Sequence, residues 1–310
     1  MRIIKCCLCA GQEQLGVEEG PHSLLGLFSD GAAGERGGQV HCAQTLPKQI
    51  ITLHQESFNA LKCSLQVSTL CQQLHSQITS IPPQTFVLAL GGDHSLAIGS
   101  ILGALSRFSG TEQLGVVWVD AHADLNSPQS SLTGRMHGCP LGLLLNIQNC
   151  REMHSEWNWM LGQPVLSPSQ LTYIALRDVD EAEVQSIQQL GIKAFWMPQV
   201  QQMGINAVLK EVLGHLQECG AIHLSFDVDA VDPGEISSTG TPVAGGLSVE
   251  QAKALVEGVV FGGKVCSADI VEFNPRLGNL EASLGAVKQI FGGPQWSKLI
   301  GRNRENSAGE

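Results

Sequence analysis

The sequence has no apolar run long enough for a membrane span and no excess of basic charge. No stretch approaches the ~18 consecutive apolar residues that a spanning helix needs, so we expect no membrane partner. The 310 residues carry 18 Lys and Arg against 29 Asp and Glu, a net charge of −11. Because binding a nucleic-acid backbone needs a basic surface, this charge argues against a nucleic-acid partner. The start Met-Arg-Ile-Ile-Lys also lacks the apolar region of a signal peptide, which favours a cytoplasmic protein.

The cysteines show no regular disulfide spacing, although ten are present. Several lie in apolar, strand-like runs, among them Cys6, Cys7 and Cys9 in the first run. We interpret them as reduced and mostly buried thiols of a cytosolic protein. A cysteine-rich zinc site at the N-terminus is the alternative.

Short apolar runs alternate with helical patterns along the chain. This alternation predicts an α/β fold, a three-layer α/β/α arrangement with a central, mostly parallel sheet. Because neither a repeat nor a second core is visible, we expect one domain over residues 1–310, with a surface loop at Gly31–Gly38 and a frayed tail at 303–310. The predicted strands are Arg2–Cys9, Phe86–Leu90, Leu114–Val119, Leu171–Leu176, Lys193–Met197, Ile222–Phe226 and Val265–Val271. The predicted helices are His54–Ile78, Leu96–Arg107, Glu181–Leu190, Ile205–Cys219, Ser248–Gly258 and Leu280–Phe291.

Three polar residues at alternate positions follow the predicted strand Leu114–Val119. They are Asp120, His122 and Asp124, separated by alanines. In an extended segment alternate side chains share a face, so all three can point at one spot. An acidic solvated loop is the alternative, but such a loop does not require period-two spacing with a histidine in the middle. The spacing therefore predicts a metal site.

Two further strand ends repeat this pattern. Asp227 and Asp229 follow the run Ile222–Phe226, and His94 follows the run Phe86–Leu90 after a pair of glycines that allows a sharp turn. In an open parallel sheet, ligands bind beyond the carboxyl ends of the strands. We therefore expect all three segments to meet at one edge of the sheet.

The ligand types indicate which metal chemistry to expect. Carboxylates with imidazole suit divalent ions of the manganese type better than a thiolate zinc site. Four aspartates and two histidines are too many for one catalytic ion with an open position, so we predict two ions that share carboxylates and lower the pKa of a bridging water. With a bridging hydroxide the cluster is net negative, which disfavours phosphate and favours a cationic substrate such as a guanidinium.

At these segments the chain resembles the ureohydrolase family. The similarity rests on Gly91-Gly-Asp-His-Ser95, Asp120-Ala-His-Ala-Asp124 and Ser225-Phe-Asp-Val-Asp-Ala-Val-Asp-Pro233. Within the family the chain is most similar to the arginases, through Tyr173–Asp180 and Ser238–Gly246. The similarity runs from Gly16–Pro21 to Val271–Pro275 and implies a sheet of the arginase–deacetylase type.

The resemblance implies two bound Mn²⁺ ions per chain, with Co²⁺ or Ni²⁺ as alternatives. Asp120 and Asp227 would bridge the ions, and Asp124 would also orient the hydroxide between them. We expect supporting or turn roles, rather than metal ligation, for Asp93 and Asp232. The implied ligands are His94, Asp120, Asp124 and Asp227 for one ion, and His122, Asp120, Asp227 and Asp229 for the other.

Two further residues are implied to act on the substrate. His137 matches the position of the family's proton shuttle. An imidazole suits that role because it titrates near neutral pH and can protonate a departing amine. A surface histidine on a loop is the alternative. Glu272 lies in an otherwise apolar predicted strand, and a buried carboxylate must be paired. The resemblance makes the substrate guanidinium its partner, with Thr241 adding a contact, and Asp269 is an alternative structural partner.

The resemblance implies that two loops recognise the α-carboxylate and the α-amino group of an amino-acid substrate. Asn126 and Thr133 match positions that hold the substrate α-carboxylate, and Asp180 and Glu183 match positions near the α-amino group. For Glu183, a solvated carboxylate in the first turn of a helix is the alternative. Arg135 departs from the family, whose members usually carry Asn there. Its guanidinium could pair with a carboxylate through two hydrogen bonds, crowd the pocket or turn to solvent.

The leading interpretation is an arginase-like hydrolase that converts L-arginine and water into L-ornithine and urea. A metal-bridging hydroxide would attack the guanidinium carbon. The nearest alternative is another ureohydrolase, acting on agmatine or on a guanidino or formimino acid. A non-catalytic metal-binding regulatory member and a single-metal deacylase are further alternatives. The family also implies a homo-oligomer such as a trimer.

Overall fold

The computed structural model describes residues 1–12, 14–29, 40–42, 64–110, 113–127 and 129–301. The strands in these residues are β1 Arg2–Cys6, β2 Val40–Cys42, β3 Val87–Gly91, β4 Leu114–Val119, β5 Leu171–Leu176, β6 Lys193–Trp196, β7 Ala221–Asp227 and β8 Val265–Val271. They form one eight-stranded sheet in the order β2-β1-β3-β8-β7-β4-β5-β6. Every neighbouring pair is parallel, so all carboxyl ends lie at one edge.

Helices connect the strands and cover the sheet. In the part of the chain that the structure describes, no helix combines the length and the apolar character that crossing a membrane requires. The helices are α1 Gly20–Ser29, α2 Ser64–Thr79, α3 Ala97–Phe108, α4 Pro140–Leu144, α5 Cys150–Met153, α6 Glu181–Leu190, α7 Met197–Met203, α8 Ile205–His215, α9 Val249–Phe261, α10 Leu280–Ile290 and α11 Pro294–Gly301.

Two hydrophobic cores lie on opposite faces of the sheet. Along β4, Val117 and Val119 pack into the core that includes residues of α8, α9 and α10, whereas Val116 and Trp118 pack into the core that includes residues of α2, α3 and α4. This division follows from the alternation of side chains along a strand. Strands buried on both faces read as continuous apolar runs, which is the pattern of a parallel sheet with helices on both sides. The predicted three-layer α/β/α fold is confirmed.

The predicted strands match the observed ones within one residue at each end, except the first. The predicted strand Arg2–Cys9 is wrong at its end, because β1 stops at Cys6. There the carbonyl of Cys6 accepts hydrogen bonds from the amides of Leu8, at 2.9 Å, and Gly92, at 2.8 Å. The chain therefore turns over the end of β3 instead of extending the sheet.

The predicted helices Leu96–Arg107, Glu181–Leu190 and Leu280–Phe291 match the observed ones within one residue. The predicted helix Ile205–Cys219 is wrong at its end, because α8 stops at His215, and α9 runs three residues beyond the predicted Ser248–Gly258, to Phe261. A capping box opens α9: the Ser248 amide donates to Gln251 Oε1 at 2.9 Å, and the Gln251 amide donates to Ser248 Oγ at 3.2 Å. Of the predicted helix His54–Ile78, the part from Ser64 onward is confirmed and residues 54–63 lie outside the described residues. So do the predicted loop Gly31–Gly38 and the predicted tail 303–310. The single domain stays a prediction.

Candidate metal centre and active site

The predicted metal ligands lie together at the carboxyl edge of the sheet. Asp120 follows β4 directly, Asp227 is the last residue of β7, and β4 and β7 are neighbours. His94 opens a short 3₁₀ turn after β3, on the far side of β8. The strand order therefore brings three segments that are distant in sequence to one point.

His94 faces three carboxylates. Its Nδ1 atom lies 3.0 Å from Asp120 Oδ2, 3.2 Å from Asp124 Oδ2 and 3.1 Å from Asp227 Oδ2. Although this nitrogen is buried, it has hydrogen-bonding geometry with none of the groups that the structure describes. Four ligand atoms thus converge without satisfying one another, which is the arrangement that a bound cation would complete.

His122 forms the second half of the cluster. Its Nδ1 atom lies 3.4 Å from Asp120 Oδ1 and 3.1 Å from Asp229 Oδ2. Asp120 therefore presents one oxygen to each histidine, as a bridging carboxylate must. Two groups have ligand atoms close enough for one ion each: His94 with Asp120 and Asp124, and Asp120 with His122 and Asp229.

Asp227 takes part on the His94 side of the cluster. Its Oδ2 atom faces His94, while Oδ1 accepts a hydrogen bond of 2.8 Å from the Asp229 amide. The prediction that Asp227 also bridges to the second ion stays a prediction. Asp93 and Asp232 accept backbone hydrogen bonds, from Ser95 at 3.0 Å and from Gly245 at 2.7 Å among others, which agrees with the supporting roles expected for them.

The electrostatics of the cluster favour bound cations. Burial, and then the charge of Asp120, raise the pKa of Asp124 to about 6. Burial and neighbouring aspartates also raise the pKa of Asp227 well above its usual range. Burial lowers the pKa of His94, but the facing carboxylates outweigh it and raise that pKa well above its usual range. Clustered buried carboxylates require positive charge nearby, and oxygen with imidazole ligands suits Mn²⁺-type ions. The residues present therefore fit a divalent metal.

Trp118 supports the cluster from within β4. Its indole Nε1 donates to Asp120 Oδ2 at 3.0 Å, and its ring stacks on the His94 ring with centroids 4.0 Å apart. Sequence reasoning missed this residue, although its position two before Asp120 places it on the same face of the strand. On the other side, Thr241 Oγ1 donates to Asp229 Oδ2 at 3.0 Å. Thr241 thus contacts a predicted metal ligand, and its predicted contact with the substrate guanidinium stays a prediction.

Glu272 and His137 form a pair beside the His94 half of the cluster. His137 Nδ1 lies 3.3 Å from Glu272 Oε1, which also accepts a 2.8 Å hydrogen bond from the His94 amide. The pKa of His137 is lowered by burial, but the bond to Glu272 and nearby acidic charges outweigh that and raise it. Burial raises the pKa of Glu272, whereas His137 and the His94 amide bring it below its usual value. An imidazole held beside a carboxylate can exchange a proton with a substrate.

The position of Glu272 differs from the sequence prediction in one respect. It is the residue after β8 rather than within it, and its backbone has φ of 61°. Left-handed backbone is costly for a residue other than glycine and occurs chiefly where the surroundings enforce it. Here the Glu272 amide donates to Gly92 O at 2.8 Å, and Gln12 Nε2 donates to Glu272 Oε2 at 2.7 Å. The protein itself therefore pairs this buried carboxylate, and sequence reasoning missed Gln12.

Two of the residues predicted to select the amino acid, Asn126 and Asp180, line a cavity of about 380 Å³ together with Leu132. Asn126 is buried, and its Nδ2 atom donates to Asp180 Oδ2 at 3.4 Å. Thr133 is exposed, and its hydroxyl accepts a 3.3 Å hydrogen bond from the Arg135 amide. Arg135 is half-buried in the turn before His137.

Glu183 has a structural partner on each oxygen. Oε1 accepts from the Leu125 amide at 2.8 Å, and Oε2 accepts from the Asp180 amide at 3.2 Å. The side chain is buried in the first turn of α6, so it is not the solvated carboxylate of the alternative interpretation. Burial is the main cause that raises its pKa to about 7. Glu183 ties α6 to the segment that carries Asp124.

Fold and site together define an α/β protein with two carboxylate–histidine groups able to hold metal ions at the carboxyl edge of a parallel sheet. The family model of the arginase family matches residues 2–291. The chain belongs to the arginase family.

Individual relatives agree with this assignment. The chain is 41% identical to an arginase of Coccidioides posadasii over 252 residues, covering 79% of this chain and 76% of that one. It is 37% identical to human Arginase-1 over 287 residues, covering 89% and 85%. The solved arginase of Entamoeba histolytica in complex with L-ornithine superimposes with a TM-score of 0.81 at 29% identity, covering 94% of this chain and 98% of that one.

Proposed function

We propose that this protein is an arginase that converts L-arginine and water into L-ornithine and urea with two divalent metal ions. The observation that carries the proposal is the shared carboxylate Asp120, whose two oxygens face two different histidines. Relatives named arginase across most of the chain, and a structural neighbour that binds L-ornithine, support the substrate.

The proposed ligands of the metal pair follow the family resemblance, and the two groups around His94 and His122 support the division. Mn²⁺ is the proposed ion, with Co²⁺ or Ni²⁺ as alternatives, because the ligands are carboxylate oxygens and imidazole nitrogens. When bound, such a pair supplies Lewis acidity and a hydrolytic nucleophile at neutral pH. The proposed ligands are His94, Asp120, Asp124 and Asp227 for one ion, and His122, Asp120, Asp227 and Asp229 for the other.

Three side chains of the protein would act on the reactants. Asp124 would orient the attacking water, because its side chain is the most exposed of the three carboxylates that face His94. Glu272 would hold the guanidinium through the lone pairs left beside the bonds from the His94 amide and Gln12, since a carboxylate oxygen can accept more than one hydrogen bond. His137, adjacent to Glu272, would return a proton to the departing amine.

The α-substituents of the substrate would be held by the loop residues beside the cavity. Asn126, Thr133 and Arg135 are proposed contacts of the α-carboxylate, and Asp180 is a proposed contact of the α-amino group. Glu183 would act on the same group chiefly by fixing Asp180, because both of its oxygens already accept backbone N–H groups.

A cytoplasmic homo-oligomer such as a trimer is the proposed form of the protein. The buried thiols of Cys71, Cys139, Cys150 and Cys219 form no disulfides, which is typical of a reducing compartment. The proposed partner is a small cationic substrate, with neither nucleic acid nor membrane involved.

The test measures urea release from L-arginine and from agmatine, together with metal content per chain. Two ions per chain and strong preference for arginine are expected, because agmatine lacks the carboxylate that the loop residues would bind. Preference for agmatine would assign the chain to another ureohydrolase activity. Two bound ions without urea from either substrate would favour a non-catalytic member.

A further inference from the structure

Asp269 is a fully buried carboxylate within β8 that the proposed reaction does not use. In the sheet it pairs in register with Ser225 of β7. Its oxygens lie 2.6 Å from Ser225 Oγ, 2.5 Å from Ser100 Oγ and 2.9 Å from His223 Nε2. All four side chains are at most 1% exposed. An ionised carboxylate that is buried from water is stable only when it accepts hydrogen bonds from such donors. In these contacts Asp269 is therefore the acceptor.

The direction of the contacts fixes the proton positions on His94. An ionised carboxylate only accepts, so the single hydroxyl proton of Ser225 points to Asp269. His94 Nε2 lies 2.9 Å from the same hydroxyl oxygen, which is left as an acceptor. Nε2 of His94 therefore carries a proton, and Nδ1 is the nitrogen left to face Asp120, Asp124 and Asp227.

We propose that Asp269 is a positioning residue that acts through Ser225 to hold His94 in the ring orientation and tautomer that present Nδ1 to a metal ion. The chain of contacts runs from His94 Nε2 to Ser225 Oγ and on to Asp269 Oδ1. His223 anchors the far oxygen of Asp269, and its own Nδ1 lies 2.8 Å from Ser267 Oγ. A hydrogen bond to the second ring nitrogen is how proteins orient metal-binding histidines.

The other histidine of the cluster has a weaker version of this support. His122 Nε2 lies 3.7 Å from Asp178 Oδ2, and the Asp178 side chain is 69% exposed. No buried relay of the His94 kind continues from that contact in the described residues. The effect of breaking the relay should therefore concern the ion on the His94 side. The inference rests on the metal site of the proposed function and not on arginine as the substrate.

The test follows metal retention rather than activity. Manganese-loaded wild type, Ser225→Ala, Asp269→Asn and the double variant are equilibrated at graded free Mn²⁺ set by a chelator. Bound manganese per chain and the electron paramagnetic resonance signal of coupled ions are then measured. Thr172→Val is the matched control. It removes a buried hydroxyl on β5 that has no hydrogen-bond partner among the described residues.

Each single variant should lose one of its two ions at a free Mn²⁺ concentration about 10–100-fold higher than the concentration at which wild type loses it. The electron paramagnetic resonance signal of coupled ions should disappear with that ion. The double variant should bind manganese no more weakly than Ser225→Ala does, because both changes break the same chain of contacts from His94 to Asp269. Thr172→Val should match wild type. If Asp269→Asn does not fold, Ser225→Ala still decides the matter.

If Ser225→Ala retained both ions as well as wild type does, the inference would be overturned. It would also be overturned if the losses of manganese affinity in the two single variants added up in the double variant. A wild-type chain that holds fewer than two ions at saturating Mn²⁺ would overturn the proposed metal pair itself. That result is distinct from two ions in wild type with unaffected variants, which removes only the role of Asp269.

Discussion

Two neighbouring regions of the carboxyl edge, the metal cluster and the substrate rim, are built in different ways. The cluster residues lie at strand ends or in the turns directly after them, and most are buried. The rim residues lie on the segment after Asp124 and at the start of α6, where Thr133 and Asp180 are exposed. The metal cluster is His94, Asp120, His122, Asp124, Asp227 and Asp229, and the substrate rim is Asn126, Thr133, Arg135, Asp180 and Glu183.

With the proposed roles, this difference separates the residues that carry the reaction from the residues that select the substrate. The sheet fixes the cluster, because moving Asp120 would mean moving β4 within the core. The rim depends on loops, which tolerate sequence change far better than the elements they connect. A family with this architecture can change its substrate at the rim while it retains its metal chemistry. The departure at Arg135, beside an intact cluster, fits that expectation.

The largest expected effect is that of Asp120→Ala. This change should abolish urea release and reduce metal content below two ions per chain, because one oxygen of Asp120 faces each histidine. Metal analysis and a urea assay check it, with Glu218→Ala as a control at an exposed acidic position. Two retained ions with full turnover would show that the cluster is not organised around Asp120.

His137→Ala should lower kcat by ~10²–10⁴ without changing metal content, because it removes a positioned acid–base group. Added imidazole should restore part of the rate. Steady-state kinetics and metal analysis check this, with His22→Ala as a control at an exposed histidine. Unchanged kcat would remove His137 from the mechanism and leave only the metal cluster as the catalytic region.

Glu183→Gln should change the pH dependence of stability. The pKa of Glu183 is about 7 in the folded chain, against about 4.3 for an unfolded glutamate. The fold therefore favours the protonated form: this contribution is fully present below about pH 4.3 and is lost as pH rises through about 7. Glutamine mimics the protonated form and does not titrate. Between pH 5 and pH 8, the free energy of unfolding of the variant should therefore increase by ~1–3 kcal/mol relative to that of wild type.

Urea unfolding of both proteins at the two pH values checks the Glu183 prediction. A constant stability difference would mean that the two backbone N–H groups on this carboxylate, rather than its burial, decide its protonation. In that case Glu183 would be ionised at neutral pH and could attract the substrate amino group directly. Its role would then be direct contact with the substrate rather than support of Asp180.

The smallest expected effect is that of Arg135→Asn at the rim. KM for arginine should rise about 2–5-fold with little change in kcat, the size typical of a partly exposed ion pair. Agmatine has no carboxylate, so its turnover should stay the same or improve and serves as the internal control. Unchanged arginine kinetics would leave the selection of the α-carboxylate to Asn126 and Thr133.

The sequence predicts the cluster far better than its supports. Asp120, His122 and Asp124 were identifiable because ligand residues follow an apolar run directly, although the chain does not stay extended there: it bends at 121–122, and Asp124 has φ of 49°. The contact of Gln12 with Glu272 joins residues 260 apart in sequence. No local pattern announces such a contact, and the same holds for Ser225 and Asp269, which meet only through the register of β7 and β8.

Around the cluster the residue types were predicted but some of their contacts within the protein were not. Thr241 was expected to contact the substrate guanidinium, which stays a prediction, whereas the hydrogen bond from its hydroxyl to Asp229 was not foreseen. Glu183 was weighed as a solvated carboxylate, yet it is buried on two backbone amides. In both cases the sequence shows a polar residue near the site, whereas the loop conformation decides what that residue contacts.

The central claim is that two divalent ions, joined through Asp120, carry the reaction. Its most direct test is to titrate metal-depleted wild-type protein with Mn²⁺ while measuring bound ions per chain and urea release from L-arginine in the same samples. We predict saturation at two ions per chain, with full turnover reached only when the second ion is bound. Full turnover at one ion per chain would contradict it.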